Sequence, residues 1–90
     1  MIDLSIVIVN YNTRQLLDDC LASLAAATIA SYTIETIVVD NASPDGSQAM
    51  VRAQYPDVVL IENEENVGFS TANNIGVTQS SGTFVLFLNS

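Results

Sequence analysis

Polar residues follow three of the apolar segments in this sequence, at the points where these segments end. If the segments are parallel strands, their carboxyl ends meet at one edge of a sheet, which is where open α/β sheets bind ligands. The side chains there carry amide, hydroxyl and carboxylate groups and one phenol, which can hydrogen-bond and stack on a ring. The residues are Asn10, Tyr11, Asn12, Asp40, Asn41, Ser43, Asn89 and Ser90. We therefore expect a ligand site at this edge.

Asp40 is the carboxylate of this group, and it follows the apolar residues 37–39 directly. Burying a carboxylate at such a position costs free energy unless it is hydrogen-bonded. Two interpretations stay open. Asp40 either accepts hydrogen bonds from a base N–H or a ribose hydroxyl, or it caps its own Asn-Ala-Ser turn.

Tyr11 also has two interpretations, since its ring can stack on a base or can anchor the turn while half-buried. The remaining polar residues of the first two turns are ordinary turn and cap residues when each is taken singly. These residues are Asn10, Asn12, Asn41 and Ser43. The case for a site therefore rests on their convergence.

Seven alternating elements must position these residues. Strands are predicted at residues 4–9, 34–40, 58–61 and 83–88, where the apolar runs lie, and helices at residues 13–27, 47–55 and 69–79. The first helix pattern places Leu17, Cys20, Leu21 and Leu24 on one face. The order β-α-β-α-β-α-β requires a parallel sheet with right-handed crossovers. The sequence thus predicts an α/β fold of the Rossmann-like kind, with about four parallel strands.

The predicted helix ends follow from local residue types. Asn12 is expected to cap the first helix, with Gln15 in the capping-box position. Either Ser43 or Asp45 can cap the second helix. Gly82 is expected to end the third.

Composition excludes several classes of function. The net charge is −8, with ten carboxylates, two arginines, no lysine and no histidine. This disfavours nucleic-acid binding, which needs clustered basic residues, and it rules out histidine acid–base catalysis within the chain. The first strand is followed by no G-x-G-x-x-G turn, and a P-loop would need a lysine. An anionic ligand would depend on backbone donors, a helix N-terminus or a metal ion.

The single cysteine, Cys20, allows no disulfide within the chain and fits a small core residue. No apolar run approaches the roughly 20 residues of a membrane span, and no signal peptide is visible. A cytoplasmic location is therefore the expectation, with the cytoplasmic membrane face possible for a longer protein.

The third helix pattern is unusual because it contains poor helix formers, a central Asn pair and Gly76. It is either a weak surface helix or a helix whose start lines a ligand cleft, where small residues allow close approach. Glu62, Glu64 and Glu65 precede it, and their spacing fits a solvated loop better than a metal site.

Four segments combine these features: residues 5–12 (SIVIVNYN), 37–47 (IVVDNASPDGS), 66–69 with 72–76 (NVGF and ANNIG), and 86–90 (LFLNS). In order and spacing they resemble the amino-terminal half of a family 2 glycosyltransferase of the GT-A fold. The resemblance implies that residues 1–90 form the truncated amino-terminal, nucleotide-sugar-binding part of such a domain. Its partner would be a nucleotide-diphosphate sugar donor.

The resemblance also implies roles for single residues. Tyr11 and its neighbours Asn10 and Asn12 would border the base, and Asp40 would hydrogen-bond base or ribose. Asn41 and Ser43 would shape the same wall, and Asn73 would flank the nucleotide from the third helix. Many relatives have arginine at the position of Asn73, so a charged contact is missing here.

Many relatives carry an Asp-x-Asp motif after the fourth strand, which holds a divalent metal on the diphosphate. Asn89 occupies the first Asp position and Ser90 the middle one. Asn at the first position resembles a branch that transfers rhamnose and related sugars in cell-surface polysaccharide synthesis. Mg²⁺ or Mn²⁺ is expected in the full-length enzyme and is not expected to bind this chain alone.

The family mechanism is inverting transfer, and its carboxylate base lies downstream of the metal motif in relatives. The 90-residue chain is therefore expected to be inactive by itself. The alternative is a small non-enzymatic α/β module that binds a nucleotide or a protein. Residues 83–88 would form an open apolar edge strand, so self-association is expected there.

Overall fold

The computed structural model describes residues 1–27 and 32–89. Within these residues the elements in chain order are β1 (Leu4–Asn10), α1 (Arg14–Ala26), β2 (Ile34–Asp40), α2 (Ser47–Gln54), β3 (Val59–Glu62), α3 (Phe69–Gln79) and β4 (Phe84–Phe87). The four described strands form one parallel sheet in the order β3-β2-β1-β4. The predicted α/β fold is confirmed. None of the described helices is long and apolar enough to cross a bilayer.

The sheet separates two apolar clusters, because its central strands are apolar on both faces. The cluster under α1 and α2 contains Ile6, Ile8, Leu17, Leu21, Val38, Met50 and Val51. The cluster under α3 contains Val7, Ile37, Val39 and Ala72. Cys20 and Leu24 pack against the first cluster, so the predicted inner face of α1 is confirmed. Burial raises the pKa of the Cys20 thiol, as expected of a packing residue.

The start of α1 differs from the prediction that Asn12 caps it. Asn12 has a left-handed backbone (φ 54°), and its side chain makes no capping hydrogen bond. Instead, the Asp45 carboxylate accepts a hydrogen bond from the Arg14 backbone N–H (2.9 Å). The prediction was wrong because the cap is supplied by a loop about 30 residues away in sequence.

At α2 the N-cap position is occupied by Gly46, not by Ser43 or Asp45, but Asp45 still binds the first residue of the helix. Its carboxylate accepts hydrogen bonds from the Ser47 backbone N–H (3.1 Å) and the Ser47 hydroxyl (2.6 Å). Partial burial raises the pKa of Asp45, but the hydrogen bonds from Ser47 and from the Arg14 backbone outweigh it and lower the pKa overall. One carboxylate therefore caps the starts of both α1 and α2, where the helix dipoles favour negative charge.

Gly82 does not end α3, contrary to the prediction. The helix stops at Gln79, and Ser80 follows with extended backbone (φ −75°, ψ 148°). Gly82 is needed because its backbone lies against β1: a Cβ atom there would lie 2.6 Å from the Ser5 backbone nitrogen. Its N–H donates to the Ser5 hydroxyl (2.8 Å).

Glu35 completes a clip at the amino end of the sheet. Its carboxylate accepts hydrogen bonds from the Ser5 hydroxyl (2.5 Å), the Ser81 N–H (2.7 Å) and the Ser81 hydroxyl (3.0 Å). The bond from Ser5 and then the bonds from Ser81 lower the pKa of Glu35, against a smaller opposing effect of burial. The clip thus joins β1, β2 and the α3–β4 loop through one carboxylate.

We expect Glu35→Gln to lower the free energy of unfolding by about 1 kcal/mol at neutral pH. Because the folded-state pKa is depressed, the contribution of Glu35 is present above the ordinary glutamate pKa and is lost as the pH falls through the folded value. Urea unfolding of both proteins across acidic pH checks this. If the difference in free energy of unfolding between the two proteins stayed constant down to the lowest pH, the role assigned to Glu35 would be contradicted.

Candidate functional site

The polar strand ends converge as predicted. Asn10 and Asp40 are paired partners at the ends of β1 and β2, and Asn89 follows β4 on the other side of β1. Ser90, the other residue predicted at this edge, lies outside the described residues.

Asp40 is 1% exposed and is surrounded by donors. Its Oδ1 accepts hydrogen bonds from Asn10 Nδ2 (2.8 Å) and Ser43 Oγ (2.7 Å). Its Oδ2 accepts from the Ser43 N–H (2.9 Å) and Gln48 Nε2 (2.5 Å). The structure therefore shows Asp40 capping its own turn. The alternative role, a contact between Asp40 and a nucleotide, stays a prediction.

Ser43 connects the β2 turn to the β1 turn. Its hydroxyl oxygen accepts a hydrogen bond from the Asn12 N–H (2.9 Å) and a longer one from Asn10 Nδ2 (3.2 Å). Asn10 Oδ1 in turn accepts from the Thr13 hydroxyl (2.7 Å). The first and second strand ends are thus joined through side chains as well as through the sheet.

Asn41 makes a second connection, from the β2 turn to the β3–α3 loop. It is 2% exposed. Its Oδ1 accepts hydrogen bonds from Asn63 Nδ2 (2.9 Å) and the Val67 N–H (3.4 Å), and its Nδ2 donates to the Gly68 carbonyl (3.3 Å). Gly68 has φ 87° and ψ 169°, a conformation that is essentially restricted to glycine.

A cleft of about 400 Å³ opens between these turns. Two aromatic side chains border it and stay exposed, Tyr11 at 48% and Phe69 at 59%. The lining residues are Val9, Tyr11, Thr13, Asn41, Asn66, Gly68, Phe69 and Asn89. The start of α3 therefore lines a cleft, which supports the interpretation of this segment as a helix bordering a ligand cleft over that of a weak surface helix.

The predicted site residues divide into two groups. Tyr11, Asn41 and Asn89 line the cleft. Behind the wall lie the buried Asn10, Asp40 and Ser43. Asn12 is exposed on the turn and Asn73 is half-buried on α3, and neither is among the lining residues.

Several lining residues were not singled out from the sequence. Phe69 lies in the NVGF segment of the resemblance but was given no role of its own, because an aromatic residue at a helix start is as easily a core residue. Thr13 and Val9 belong to segments that were assigned to the first helix and strand. Asn66 and Gly68 belong to the same segment, residues 66–69, and had no role assigned singly either.

The cleft offers poor ligands for a divalent metal. Mg²⁺ and Mn²⁺ prefer carboxylate oxygens, and none of the described lining residues is Asp or Glu. Among the described residues no group of three metal-binding side chains is found either. Glu64 and Glu65 are exposed, and Glu62 pairs with Arg52, as fits a solvated loop.

A larger cavity of about 650 Å³ lies toward the amino end of the sheet, between α1, β2 and the end of α2. None of the predicted site residues lines it. The cleft at the carboxyl edge is therefore the candidate site, since it unites the convergent polar turns with exposed aromatic rings.

The molecule is an open α/β domain with a cleft at the carboxyl edge of its parallel sheet, the place where such domains bind ligands. Comparison with known sequences then gives the family. The chain belongs to glycosyl transferase family 2, whose model matches residues 5–90. The resemblance inferred from the four motifs is confirmed.

Two similar proteins illustrate the relationship. Glycosyltransferase AglE of Haloferax volcanii is 32% identical over 94% of this chain, which spans 29% of AglE. The poly(ribitol-phosphate) beta-glucosyltransferase of Bacillus spizizenii is 35% identical over 97% of this chain, which spans 14% of that enzyme. The chain thus spans less than a third of either relative.

Similar solved structures are also glycosyltransferases. TarS 1-349 of S. aureus in complex with UDP has a TM-score of 0.88 and 27% identity, with 99% of this chain and 27% of that one covered. The mannosyltransferase PcManGT of Pyrobaculum calidifontis, in complex with GDP-Man and Mn²⁺, has a TM-score of 0.82 and 26% identity, with 96% of this chain and 26% of that one covered. The sheet and helices therefore match the GT-A glycosyltransferase fold.

Proposed function

We propose that this chain is the nucleotide-binding part of an inverting glycosyltransferase that uses a nucleotide-diphosphate sugar donor. The observation that carries the proposal is the cleft at the carboxyl edge, bordered by Tyr11, Asn41 and Asn89. A UDP complex of a similar structure and a GDP-Man complex of another support a nucleotide as the ligand class.

The cleft suggests how the residues divide the work. The exposed Tyr11 ring stacks on the base, and Phe69 faces the same cleft from the start of α3. Asn41 uses one amide hydrogen on Gly68, which leaves the other for the ligand. Asn89 lies where the diphosphate or sugar would approach. Asn73 flanks the nucleotide from α3, at greater distance.

The metal, the acceptor site and the catalytic base are not assigned to any residue of this chain. The described lining residues give one amide oxygen near β4, on Asn89, and no carboxylate. We expect a divalent metal in the full-length enzyme and no sugar transfer by the 90-residue chain alone. Transfer by the purified chain, with contaminating enzymes excluded, would contradict this part of the proposal.

The biological setting is part of the same proposal. One relative is named for a poly(ribitol-phosphate) substrate and another for minor teichoic acid biosynthesis, and both names refer to cell-surface polymers. We propose synthesis of a cell-surface polysaccharide or a related polymer, with the enzyme working on the cytoplasmic side of the membrane.

The test is the affinity of the chain for UDP and for dTDP, measured by titration calorimetry. Replacing Tyr11 with alanine is expected to weaken binding about tenfold, because stacking on a base contributes about 1–3 kcal/mol. Tyr32→Ala is the matched control, since Tyr32 is exposed and lies before the amino end of β2. Equal losses in both variants, or no saturable binding by the wild type, would refute the proposal.

We also propose that the chain self-associates through β4. This edge strand exposes Phe84 (71%), Phe87 (52%) and Leu86 (47%), and it carries no charge or proline to discourage pairing. Light scattering at rising concentration should show a dimer that Leu86→Lys removes. A wild-type monomer at the highest concentration would rule this out.

A further inference from the structure

We propose that Asp40 is a positioning residue of the cleft: its buried carboxylate fixes the two turns that present Tyr11 and Asn41, and it does not itself contact the nucleotide. The inference rests on the proposed function, because it assigns a role within the same nucleotide site.

The first argument is that the carboxylate is fully occupied. A carboxylate has about four positions for accepting hydrogen bonds, and Asp40 receives four. The donors belong to Asn10, Ser43 and Gln48, and the side chain is 1% exposed. A nucleotide could reach the Asp40 carboxylate only by displacing one of these donors, of which Asn10 and Ser43 are buried and Gln48 is partly buried.

The second argument is the backbone of the two turns. Asn12 (φ 54°) and Ala42 (φ 59°) are the described residues other than glycine with a left-handed backbone. This conformation costs roughly 1–2 kcal/mol for a residue with a Cβ atom, least for Asn, so surrounding contacts must hold it. For Asn12 the Ser43 hydroxyl supplies that contact, because it donates to Asp40 while accepting from the Asn12 N–H. On the far side of Ala42, the Ser43 N–H donates to the Asp40 carboxylate.

The third argument is the position of the cleft side chains in the sequence. Tyr11 lies between Asn10 and Asn12, and the network binds both of these neighbours. Asn41 lies between Asp40 and Ala42 in the second turn. Tyr11 and Asn41 are therefore each flanked by residues that the Asp40 network holds or that have a left-handed backbone, and both line the cleft.

Positioning and direct contact predict different results for Ser43→Ala. If Asp40 contacted the nucleotide, this variant would free part of the carboxylate and would keep or raise the affinity for UDP. If Asp40 positions the turns, Ser43→Ala breaks the connection to Asn12 and lowers the affinity, although the carboxylate remains.

The experiment compares the UDP affinity of the wild type, Asp40→Asn, Ser43→Ala and the double variant, at a temperature where urea curves show each to be folded. We expect each single variant to bind about tenfold more weakly, by analogy with the lower end of the loss caused by mutating groups that orient metal ligands. The double variant should lose no more than either single one, because both changes break the same connection.

Ser5→Ala is the matched control. Ser5 is also a fully buried serine whose hydroxyl donates to a carboxylate, but it lies in the clip at the amino end of the sheet. It should lose stability without losing affinity for UDP. An equal loss of affinity in Ser5→Ala would overturn the proposal, as would unchanged affinity in Ser43→Ala.

A measurement without ligand separates this inference from the proposed function. The NMR signals of the Tyr11 ring and of the Asn41 side-chain amide should move in Ser43→Ala and stay in place in Ser5→Ala. If they move while the wild type binds no nucleotide, the proposed function fails and the positioning role stands. If they stay in place in Ser43→Ala, the positioning role fails whatever the wild type binds.

Discussion

Replacing Asp40 with alanine is expected to lower the free energy of unfolding by about 3 kcal/mol or more. The change removes the acceptor of four hydrogen bonds, from the buried Asn10 and Ser43 and the partly buried Gln48. Small domains have only about 5–15 kcal/mol of stability in total, so the loss is a large fraction of it. Urea unfolding followed by far-UV circular dichroism measures the change.

Asp45→Ala is the matched control for this prediction. The Asp45 carboxylate accepts three hydrogen bonds, from the Arg14 N–H, the Ser47 N–H and the Ser47 hydroxyl, but water can replace it there because the site is partly open. Loss of such a helix cap costs about 1 kcal/mol. If Asp45→Ala were as destabilising as Asp40→Ala, the large effect of Asp40→Ala could not be explained by the burial of its hydrogen-bond network.

Gly82→Ala is expected to destabilise the fold by about 3 kcal/mol, at the upper end of the range for inserting a methyl group into a packed site. The new Cβ atom would lie 2.6 Å from the Ser5 nitrogen and 2.9 Å from the Leu4 carbonyl carbon. Both are backbone atoms of the central strand β1, which cannot move aside. The start of β4 should therefore separate from β1, and the amides of Thr83 and Phe84 should exchange faster with solvent, since they donate to the Ile2 and Asp3 carbonyls just before β1.

Gly76→Ala provides a useful comparison, because its obstacle is a side chain. A Cβ atom at Gly76 would lie 2.4 Å from Val7 Cγ1, in the cluster under α3. Shortening Val7 to alanine should recover part of the stability of Gly76→Ala, as the new methyl group fills the space. Ser5→Ala should not rescue Gly82→Ala in this way, because the backbone nitrogen stays in place. A full rescue would show that the Ser5 hydroxyl, and not the backbone, sets the limit.

The sheet and its helices could be predicted from the sequence because they rest on local patterns. The bounds predicted for β2 and α3 match the structure, and no end of the other elements differs by more than one residue. Apolar runs and helical periodicity are present in the chain itself. The residues wrongly predicted to cap or end a helix, Asn12 and Gly82, depend on distant contacts: Asp45 binds the start of α1, and Gly82 lies against Ser5.

The candidate site was predictable only in outline for the same reason. Convergence of the strand ends follows from parallel strands, so Asn10, Asp40 and Asn89 were placed at one edge. Which side chains face the cleft depends on their hydrogen-bond partners, and these partners cannot be identified from the sequence. Asn41 bonds to Asn63 and Gly68 and yet borders the cleft, whereas Asp40 is enclosed by its donors.

The central claim is that a nucleotide binds at the carboxyl edge of the sheet, and the most direct test is a ¹⁵N NMR titration of the chain with UDP in the presence of Mg²⁺. The structure predicts saturable shifts at residues 9–13, 41–43, 66–69 and 89, which form or support the cleft. Shifts confined to residues around the larger cavity at the amino end, such as Ile34 and Tyr55, or the absence of saturable shifts, would contradict the claim.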